Sequence, residues 1–551
     1  MPSLRRSLVI IVAVAVSVHL LYRLDDRSLW SPDEGRYAEI GREMFESGDY
    51  VTPRLNYVRY FEKPPLVYWM TAASIGLLGP NEWAVRLPIA LTALLGLLVT
   101  YRLGRTMAGP QVGLIAVILL STNILYYALA RFLVLDMVLT VLLTAGLACL
   151  YSALSGSSSR SFVWASVFLG LATLTKGPIA LVLPILIICP LVLRKDVRQR
   201  LATAPWISMG AAYLLVSAPW FVAIGRAHPE FLSFFFIHEH IDRFLKPTHL
   251  RPGPLWYFIP IVVAGFFPWS CLLPAVVRSP SRGLASCFLW SWVVFPFAFF
   301  SISQSKLPGY ILPIFPALAI LVACQIQRVL DEVDNQGRRH FLVRWLVFGC
   351  FLIVLTVLGL CYCASCLTKE AYPDLVQIRP QVLLVLAGIA LLGTIVAWIL
   401  DSGRIRLALT LLAVGSGLGL QWTRPVVLAY EIQKDVRVIA RALLARLSPE
   451  DQVVVYGTLE SASGLPFYLQ RGVIVGGHHF GELTFARDTA LPEERPFFAD
   501  ATTAERWMRA DQPRRFFVTQ PMVFAGYFSK LPEVRPRRIL RRGDLVLFAN
   551  R

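Results

Sequence analysis

Carboxylates and cations gather at both ends of one short segment, in a combination suited to group transfer beside a phosphate. Asp33, Glu34 and Arg36 directly follow the first apolar run, and Glu62 and Lys63 precede the next short one. A carboxylate at a membrane surface costs free energy unless it is paired, which makes Asp33 and Glu34 candidates for chemistry. Because Arg and Lys bind phosphate oxygens strongly where water is scarce, Arg36 and Lys63 suit a phosphorylated lipid.

A structural interpretation of the same residues stays open. Ser31 can cap a helix that has Pro32 at its first position, and Glu34 would complete a capping box. That cap leaves Asp33 without a structural purpose, which favours a chemical one. The Glu-Lys pair at the other end of the segment is equally typical of a solvated rim.

A second loop is rich in histidine and phenylalanine. Four of the eight His residues fall in it, and Phe234–Phe236 stand beside His238 and His240. Such a mixture is typical of an amphipathic segment lying in the membrane interface. His238 or His240 with Glu62 would supply nitrogen and oxygen ligands to a divalent metal such as Zn or Mg. Ordinary hydrogen-bonded interfacial histidines are the alternative.

Further cations and a second carboxylate flank other apolar runs. Arg131 and Asp136 bracket the start of one run, and Lys306 and Tyr310 share a turn through Pro308-Gly309. The Pro-Gly pair accounts for the bend of that turn but requires neither the cation nor the phenol. For each of these cations, snorkelling to lipid headgroups is the alternative interpretation.

The composition indicates what must position these residues. Of 551 residues, 56% are hydrophobic and 16% charged, and the mean hydropathy is +0.59. Soluble proteins carry about 25% charged residues, so a soluble enzyme, a coiled coil and a disordered chain are excluded. The net charge of +18 would suit nucleic acid. In a membrane protein, however, the same excess arises from basic cytoplasmic loops.

Apolar runs of spanning length recur along residues 1–422, which we assign to a transmembrane domain. The predicted spans, thirteen in all, lie at 8–24, 85–105, 111–128, 134–153, 161–193 (two short spans), 204–225, 255–277, 283–302, 309–327, 343–366, 380–400 and 405–422. If 65–80 lies along the outer surface as an interfacial helix, the large basic groups between spans all fall in the cytoplasm. The N-terminus is then cytoplasmic, and the outer loops 25–84 and 226–254 carry the candidate site.

Residues 423–551 change character, because their apolar blocks shorten to strand length. The predicted strands are Val453–Tyr456, Val473–Val475, Phe516–Thr519 and Leu545–Phe548, and the predicted helices include Lys434–Leu447 and Thr502–Arg509. This alternation predicts a small α/β domain, which the topology places outside the membrane, in the periplasm of a bacterium. Its basic run Arg535–Arg542 suits either anionic lipid or a solvated strand face.

Six short motifs carry a resemblance to a known family. In order, they are Asp33-Glu34, Tyr60–Pro64, Asp136, Thr175-Lys176-Gly177, Glu239–Phe244 and Ser305–Tyr310. In order and spacing they resemble those of the bacterial aminoarabinose transferases that act on lipid A. Those enzymes belong to the GT-C superfamily, which includes the protein O-mannosyltransferases. The resemblance covers the whole chain and implies a GT-C fold with about thirteen spans and a terminal periplasmic α/β domain.

The resemblance implies transfer of 4-amino-4-deoxy-L-arabinose from undecaprenyl phosphate to a phosphate of lipid A, at the inner membrane. Lys63 and Arg243 would stabilise the departing lipid phosphate, helped by Arg36, Arg131 and Lys306. Asp33 would hold the donor amine or the acceptor, and Asp136 would organise the site. The remaining expected site residues are Glu34 (catalytic), Tyr37, Arg59, Tyr60 and Tyr310 (substrate), and Glu62 and His240 (metal).

Two alternatives remain beside this function. The first is a glycosyltransferase that uses another polyprenyl-phosphate sugar or another acceptor. The second is a transporter or flippase for a lipid-linked substrate, which would place charges at the membrane midplane. The predicted spans hold almost no ionisable groups, so the sequence favours an enzyme. We expect a monomer with no nucleotide cofactor and no nucleic-acid partner.

Overall fold

The computed structural model describes residues 2–242, 253–278, 283–331, 379–401, 404–424, 435–509, 513–528 and 537–550, with isolated positions at 344, 345, 347 and 427. The chain divides into two compact units. The first unit comprises residues 1–22, 89–131 and 135–426, and the second comprises 23–88, 132–134 and 427–551. The sequence analysis placed the domain boundary between residues 422 and 423, which assigned the first outer loop to the transmembrane domain. In the structure, that loop belongs to the second unit.

The described helices are numbered in chain order. They are α1 (Pro2–Leu21), α2 (Asp33–Ser47), α3 (Leu66–Leu78), α4 (Glu82–Ala108), α5 (Pro110–Ser121), α6 (Ile124–Ala130), α7 (Leu135–Leu154), α8 (Arg160–Lys176), α9 (Ile179–Ile188), α10 (Lys195–Ala202), α11 (Trp206–Ala227), α12 (Glu230–Ser233), α13 (Phe258–Gly265), α14 (Leu273–Val277), α15 (Leu284–Ile302), α16 (Phe315–Asp331), α17 (Arg379–Asp401), α18 (Ile405–Trp422), α19 (Val436–Leu444), α20 (Leu465–Leu469), α21 (Thr484–Asp488), α22 (Ala501–Arg509) and α23 (Pro521–Gly526). A π-helix covers Phe234–Asp242, and short 3-10 turns cover Cys189–Leu193, Trp269–Leu272, Pro308–Ile314, Leu459–Ala462, Gly481–Leu483 and Arg495–Phe497.

Among the described residues, seven helices are long and apolar enough to cross a membrane. They are α4, α7, α11, α15, α18, the segment Pro308–Asp331 and residues Leu383–Leu400 of α17. Two further pairs of helices are each bent at a short break, and the number rises to nine if each pair forms one span. All of these agree with predicted apolar runs, whereas the run at 343–366 lies outside the described residues. The chain is therefore a polytopic membrane protein, and the total of thirteen spans stays a prediction.

The two bent pairs have identifiable causes. Helices α5 and α6 meet at 71°, and the side chain of Asn123 accepts a hydrogen bond from Tyr126 N to cap the second helix. Helix α13 and the following Trp269–Val277 segment meet at 108° around Pro268. Because proline lacks an N–H donor, it cannot continue a helix without a break.

The segment predicted as an interfacial helix at 65–80 does form a helix, α3. It has 13 residues and lies in the second unit. A span needs about 20 apolar residues, so α3 is too short to cross a bilayer at ordinary tilt. Its helical structure is confirmed, and its position in the interface stays a prediction.

The second unit contains a six-stranded sheet near the C-terminal end of the chain. A short hairpin in the first loop supplies β1 (Arg54–Leu55) and β2 (Val58–Arg59); the sheet contains β3 (Gln452–Tyr456), β4 (Ile474–Gly477), β5 (Phe498–Asp500), β6 (Arg515–Thr519), β7 (Arg537–Arg542) and β8 (Leu545–Ala549). The order is β5-β4-β3-β6-β8-β7. Strands β5, β4, β3 and β6 are parallel to one another, whereas β8 is antiparallel to both of its neighbours, β6 and β7. The predicted α/β architecture is confirmed.

The four predicted strands all exist, and two more were missed. Strand β5 has only three residues, and β7 consists mostly of arginine at one edge of the sheet. Val454, Phe517 and Phe548 lie in the core under the sheet, with Phe528 packed against them. The short apolar blocks were recognisable because they are buried on both sides, whereas an edge strand of arginines carries no such signal.

Candidate active site

Helix α2 begins at Asp33 and so places Asp33, Glu34 and Arg36 in its first turn. Pro32 is the residue before the helix, and the structure has no side-chain cap there, so the predicted Ser31 capping box is wrong. The first turn lies against the C-terminal part of the second unit. A Cβ on Gly35 would come within 2.3 Å of Gly464 N, which requires glycine at this position.

Glu34 is enclosed by donors from its own unit. Its carboxylate is 0% exposed and pairs with Arg27 and with Arg86, whose Nε lies 2.8 Å away. The backbone N–H groups of Trp30 and Leu133 also donate to it, at 3.1 and 3.0 Å. Burial by itself would raise the pKa of this carboxyl, but Arg27 and Arg86 lower it to about 2.

Asp33, the preceding residue, is in the opposite situation. Its side chain is 37% exposed and pairs with Arg36, three residues further along the helix. Adjacent helical positions point about 100° apart, so one carboxylate faces the interior and the other remains accessible. Of the two catalytic candidates on α2, only Asp33 therefore presents its carboxylate to a ligand. Glu34 satisfies buried arginines, and its predicted catalytic role has no support from this placement.

Arg36 lies at the centre of a cluster of acidic and phenolic groups. Its guanidinium pairs with Asp33 and Glu482 and lies 3.9 Å from Glu62. Tyr60 accepts a hydrogen bond from it at 3.3 Å and donates to Glu62 at 2.8 Å. We call Asp33, Arg36, Tyr60, Glu62 and Glu482 the Arg36 cluster. It combines four of the predicted site residues with one residue that the sequence analysis did not select.

The substrate candidates Tyr37 and Lys63 adjoin this cluster. The Arg36 guanidinium lies 5.0 Å from the centre of the Tyr37 ring. Lys63 is partly exposed, and its Nζ donates to the backbone oxygen of Glu62 at 2.8 Å. A partly exposed ammonium group beside an accessible carboxylate suits a phosphorylated ligand.

Arg59 is placed differently from the prediction. Its side chain is 4% exposed and forms a two-pronged ion pair with Glu494, with N···O distances of 2.9 and 3.1 Å. Asn56, in the turn of the same hairpin, exchanges hydrogen bonds with the backbone of Val473 at 2.7 and 2.8 Å. Both contacts fasten the hairpin to the C-terminal part of the unit. Arg59 therefore holds the segment that carries Tyr60 and Glu62, and its predicted substrate contact has no support here.

The first unit contains a second cluster around Asp136. Lys176 Nζ lies 2.6 Å from the Asp136 carboxylate and 4.4 Å from the centre of the Tyr310 ring. A Cβ on Gly309 would come within 3.0 Å of the same carboxylate. Three motifs that are far apart in sequence thus converge on Asp136, and Lys176 was not selected as a site residue from the sequence.

Two predicted phosphate-binding cations of the first unit bind backbone carbonyls. Arg131 donates to Leu20 O, in the last turn of α1, at 3.0 Å. Lys306 Nζ donates to Ser303 O within its own turn at 2.5 Å, and the residue is 6% exposed. These contacts stabilise the turns in which the cations lie. Their predicted contact with phosphate stays a prediction.

The remaining candidates fall in the histidine-rich loop. His240 lies in the π-helix, but its side chain is outside the described part of the chain, as is Arg243 entirely. Among the described residues, no three His, Cys, Asp or Glu side chains come together as a metal site would require. The metal predicted at Glu62 and His240 stays a prediction.

Comparison with known proteins identifies related chains. Residues 62–222 match the family described as dolichyl-phosphate-mannose-protein mannosyltransferase. The undecaprenyl phosphate-α-4-amino-4-deoxy-L-arabinose arabinosyl transferase of Edwardsiella ictaluri is 37% identical over 359 residues, which are 63% of this chain and 65% of that protein. The transferase of the same description from Yersinia enterocolitica is 33% identical, over 63% of this chain and 64% of its own. These matches span just under two thirds of the relatives' length.

One solved structure is similar over almost the whole chain. The crystal structure of ArnT from Cupriavidus metallidurans, bound to undecaprenyl phosphate, covers 99% of this chain and 98% of its own, with a TM-score of 0.86 and 28% identity. The chain is therefore similar to these aminoarabinose transferases in sequence and in structure. The resemblance that the motifs carry is confirmed, and so is the GT-C fold.

Two residues of these clusters, Glu482 and Lys176, were missed by the sequence analysis. Glu482 follows β4 by a few residues, in a Gly-Glu-Leu turn with no charge pattern around it. Its partner Arg36 is 446 residues away, so no local pattern could link the two. Lys176 did carry a signal, because a cation beside Gly177-Pro178 stands alone within a long apolar stretch.

Proposed function

We propose that the chain transfers 4-amino-4-deoxy-L-arabinose from undecaprenyl phosphate to a phosphate of lipid A. The observation that carries this proposal is the similarity over 99% of the chain to a transferase crystallised with undecaprenyl phosphate. The names of the curated relatives supply the sugar. The accessible Asp33 beside Arg36 and Lys63 supports it, because these groups suit a reaction at a lipid phosphate.

The proposed step breaks the bond between C1 of the sugar and the oxygen of the donor phosphate, and forms a bond from C1 to an acceptor oxygen. The electron pair of the broken bond remains on the donor phosphate. Cations that are already in place stabilise this developing charge without a cost of reorganisation. Lys63 and Arg36 would do so in the second unit.

Asp33 would bind the reacting groups in this scheme. A phosphate acceptor is ionised near neutral pH, so it needs orientation more than it needs a base. The carboxylate would then hold a hydrogen-bond donor of the sugar, and would accept a proton where the acceptor is a hydroxyl. Asp136, held by Lys176, would organise the neighbouring outer turn.

The proposed location is the bacterial inner membrane, with thirteen spans and a cytoplasmic N-terminus. The α/β domain then lies in the periplasm, where lipid A is presented. The distribution of basic residues between the apolar runs supports this orientation. We also propose that the enzyme acts as a monomer.

Mass spectrometry of lipid A tests the function. Cells that produce the protein, together with the pathway for the lipid-linked donor, are expected to contain lipid A heavier by one aminopentose. Cells with an empty vector serve as the control. Lipid A of unchanged mass, in cells where the donor accumulates and the protein is inserted, would contradict the proposal.

A reporter fused after Arg551 tests the orientation. Alkaline phosphatase at this position is expected to be active, because that enzyme folds only outside the cytoplasm. A second fusion within residues 195–202 should be inactive and serves as the matched control. The reverse pattern would contradict the thirteen-span topology and the interfacial assignment of α3.

A second candidate function rests on the match of residues 62–222 to the dolichyl-phosphate-mannose-protein mannosyltransferases. It is sugar transfer from a polyprenyl phosphate to a protein or another glycan. The lipid A measurement separates the two, since this candidate predicts unchanged lipid A and a modified protein. Within the described residues, the structure supplies no observation in favour of a transporter.

A further inference from the structure

The C-terminal sheet contributes acidic groups to the Arg36 cluster from one particular edge. Glu460 lies in the turn after β3, and Glu482 lies in the turn after β4. The two turns touch, because a Cβ on Gly481 would lie 2.9 Å from the Glu460 carboxylate. β3 and β4 are parallel, so both turns are at the carboxyl edge of the sheet. This is the edge at which sheets of this type bind ligands.

Negative charge is in excess around Arg36. Asp33, Glu62 and Glu482 surround its guanidinium, and Glu460 acts on Glu482 from the adjoining turn. Lys63 is the second cation beside them, through its contact with the backbone of Glu62. Three carboxyl groups thus surround one guanidinium, and a fourth, that of Glu460, lies in the adjoining turn. Such a site attracts a further positive charge.

Two buried oxygen atoms of this region, and one nitrogen, Arg36 Nε, lack a hydrogen-bond partner among the described residues. The oxygen atoms are Glu482 Oε1 and that of the Tyr68 hydroxyl. The Glu482 side chain is 2% exposed and Tyr68 is 0% exposed. The Tyr68 ring lies 5.9 Å from that of Tyr37, and its hydroxyl is within electrostatic range of Arg36, Glu62 and Glu482. Buried polar groups are rarely left unpaired, so these two oxygen atoms are suited to a bound partner.

Burial of Glu482 makes its carboxyl harder to ionise. Burial raises the pKa of this carboxyl to about 8; Arg36 opposes the rise, and Glu62, Glu460 and Asp33 add to it. A ligand that brings a positive charge to this carboxyl would favour its ionised form. A primary ammonium group supplies a charge and three hydrogen-bond donors in one small group.

We propose that Glu482 and Tyr68 bind the cationic amine of the donor sugar, so that the C-terminal domain selects an aminosugar. This inference rests on the proposed function and deepens it. Glu482 Oε1 accepts a charge-assisted hydrogen bond from the ammonium group, and the Tyr68 hydroxyl accepts another. A sugar with a hydroxyl in place of the amine brings no charge to balance the excess carboxylates. The Arg36 cluster therefore discriminates between the two sugars.

The experiment compares two donors on the purified full-length protein in detergent. One is undecaprenyl phosphate-linked 4-amino-4-deoxy-L-arabinose, and the other carries arabinose with a hydroxyl at the same carbon. Glu482→Gln is expected to raise KM for the amino donor about 10- to 100-fold, with a smaller change in kcat. KM for the hydroxyl donor should rise at least about 3-fold less, because only the amino donor loses the charge pair, whereas any effect through Arg36 is shared by both donors.

Tyr68→Phe removes only the unpartnered hydroxyl and retains the ring that packs near Tyr37. It is expected to fold normally and to raise KM for the amino donor about 3- to 10-fold. Glu493→Gln, at an exposed glutamate of the same domain, is the matched control and should behave as wild type. If Glu482→Gln does not accumulate, Tyr68→Phe decides the question alone.

The deciding quantity is the preference for the amino donor over the hydroxyl donor. If folded Glu482→Gln shows the same preference as the wild type, the proposal is overturned. If Glu482→Gln does not fold, the same result in Tyr68→Phe overturns it. A wild-type protein that uses neither donor contradicts the proposed function and removes the inference with it. The two failures are therefore distinguishable. A structural role for Glu482 would lower activity on both donors equally, which also counts against the proposal.

Discussion

Asp33→Asn is expected to lower aminoarabinose transfer at least ~100-fold while the protein stays folded and inserted, because a positioned carboxylate contributes about 10²- to 10⁴-fold to such steps. The substitution keeps the size of the side chain and removes its charge. It also removes the partner that orients Arg36 from the exposed side. Transfer is measured with purified protein, the lipid-linked donor and lipid A.

The same change should have little effect on stability. Asp33 is 37% exposed, and its pair with Arg36 is an i,i+3 contact on a helix. Exposed pairs of this kind contribute about 0.2–1 kcal/mol, and an acid in the first helical turn adds about 0.3–1 kcal/mol. Thermal unfolding in detergent should therefore shift by only a few degrees. Transfer activity would therefore be lost while the fold is retained.

Glu46→Gln is the matched control for Asp33→Asn. Glu46 lies on the same helix and also pairs with an arginine, Arg42, but its side chain is 54% exposed and outside the Arg36 cluster. Its substitution should leave transfer unchanged. If Asp33→Asn retains more than about a tenth of wild-type transfer, the carboxylate has no essential part in the reaction and Asp33 leaves the mechanism.

Local sequence patterns were sufficient to predict much of the fold. Long apolar runs identified the spanning helices, because a helix surrounded by lipid must be apolar on every side. Pro64-Pro65 and Gly79-Pro80 marked the ends of α3, since proline and glycine interrupt helices. Short apolar blocks identified β3, β4, β6 and β8. Each of these signals lies within about twenty residues of chain.

Partners that are distant in sequence could not be predicted in this way. Arg59 was selected as a substrate contact because it is a cation in an outer loop, yet it binds Glu494, 435 residues away. Glu482 was not selected at all, because its partner Arg36 is equally remote. A single sequence shows which residues are charged. Only the folded chain shows which charges neutralise one another.

Glu34 illustrates the same limit at short range. Asp33 and Glu34 are neighbours with the same chemistry, and the sequence made both catalytic candidates. Their difference depends on Arg86, 52 residues away, and on the backbone of Leu133, 99 residues away. The two carboxylates are distinguished by the direction in which α2 places them.

Glu34→Gln is expected to destabilise the protein by about 3–5 kcal/mol, the usual cost of removing one partner from a buried ion pair. The change leaves Arg27 and Arg86 buried beside a neutral amide. The fall of the Glu34 pKa from 4.5 to about 2 is an independent sign of this coupling. At 1.36 kcal/mol per pKa unit it corresponds to about 3 kcal/mol.

The sign of the pH dependence follows from the lowered pKa. The Glu34 carboxylate stabilises the folded state fully above pH 4.5, and this contribution is lost as the pH falls through about 2. Wild-type protein should therefore lose stability over this window more steeply than Glu34→Gln. Thermal unfolding in detergent at pH 7, pH 4 and pH 2 measures both effects.

Asp33→Asn and Glu34→Gln serve as controls for each other. The first is expected to fold and fail in transfer, and the second to accumulate poorly in the membrane, since a loss of 1–2 kcal/mol already changes abundance several-fold. Any Glu34→Gln protein that does fold should retain transfer per molecule, because its carboxylate does not reach the substrate. A stable Glu34→Gln protein without activity would contradict this division and return Glu34 to the catalytic site.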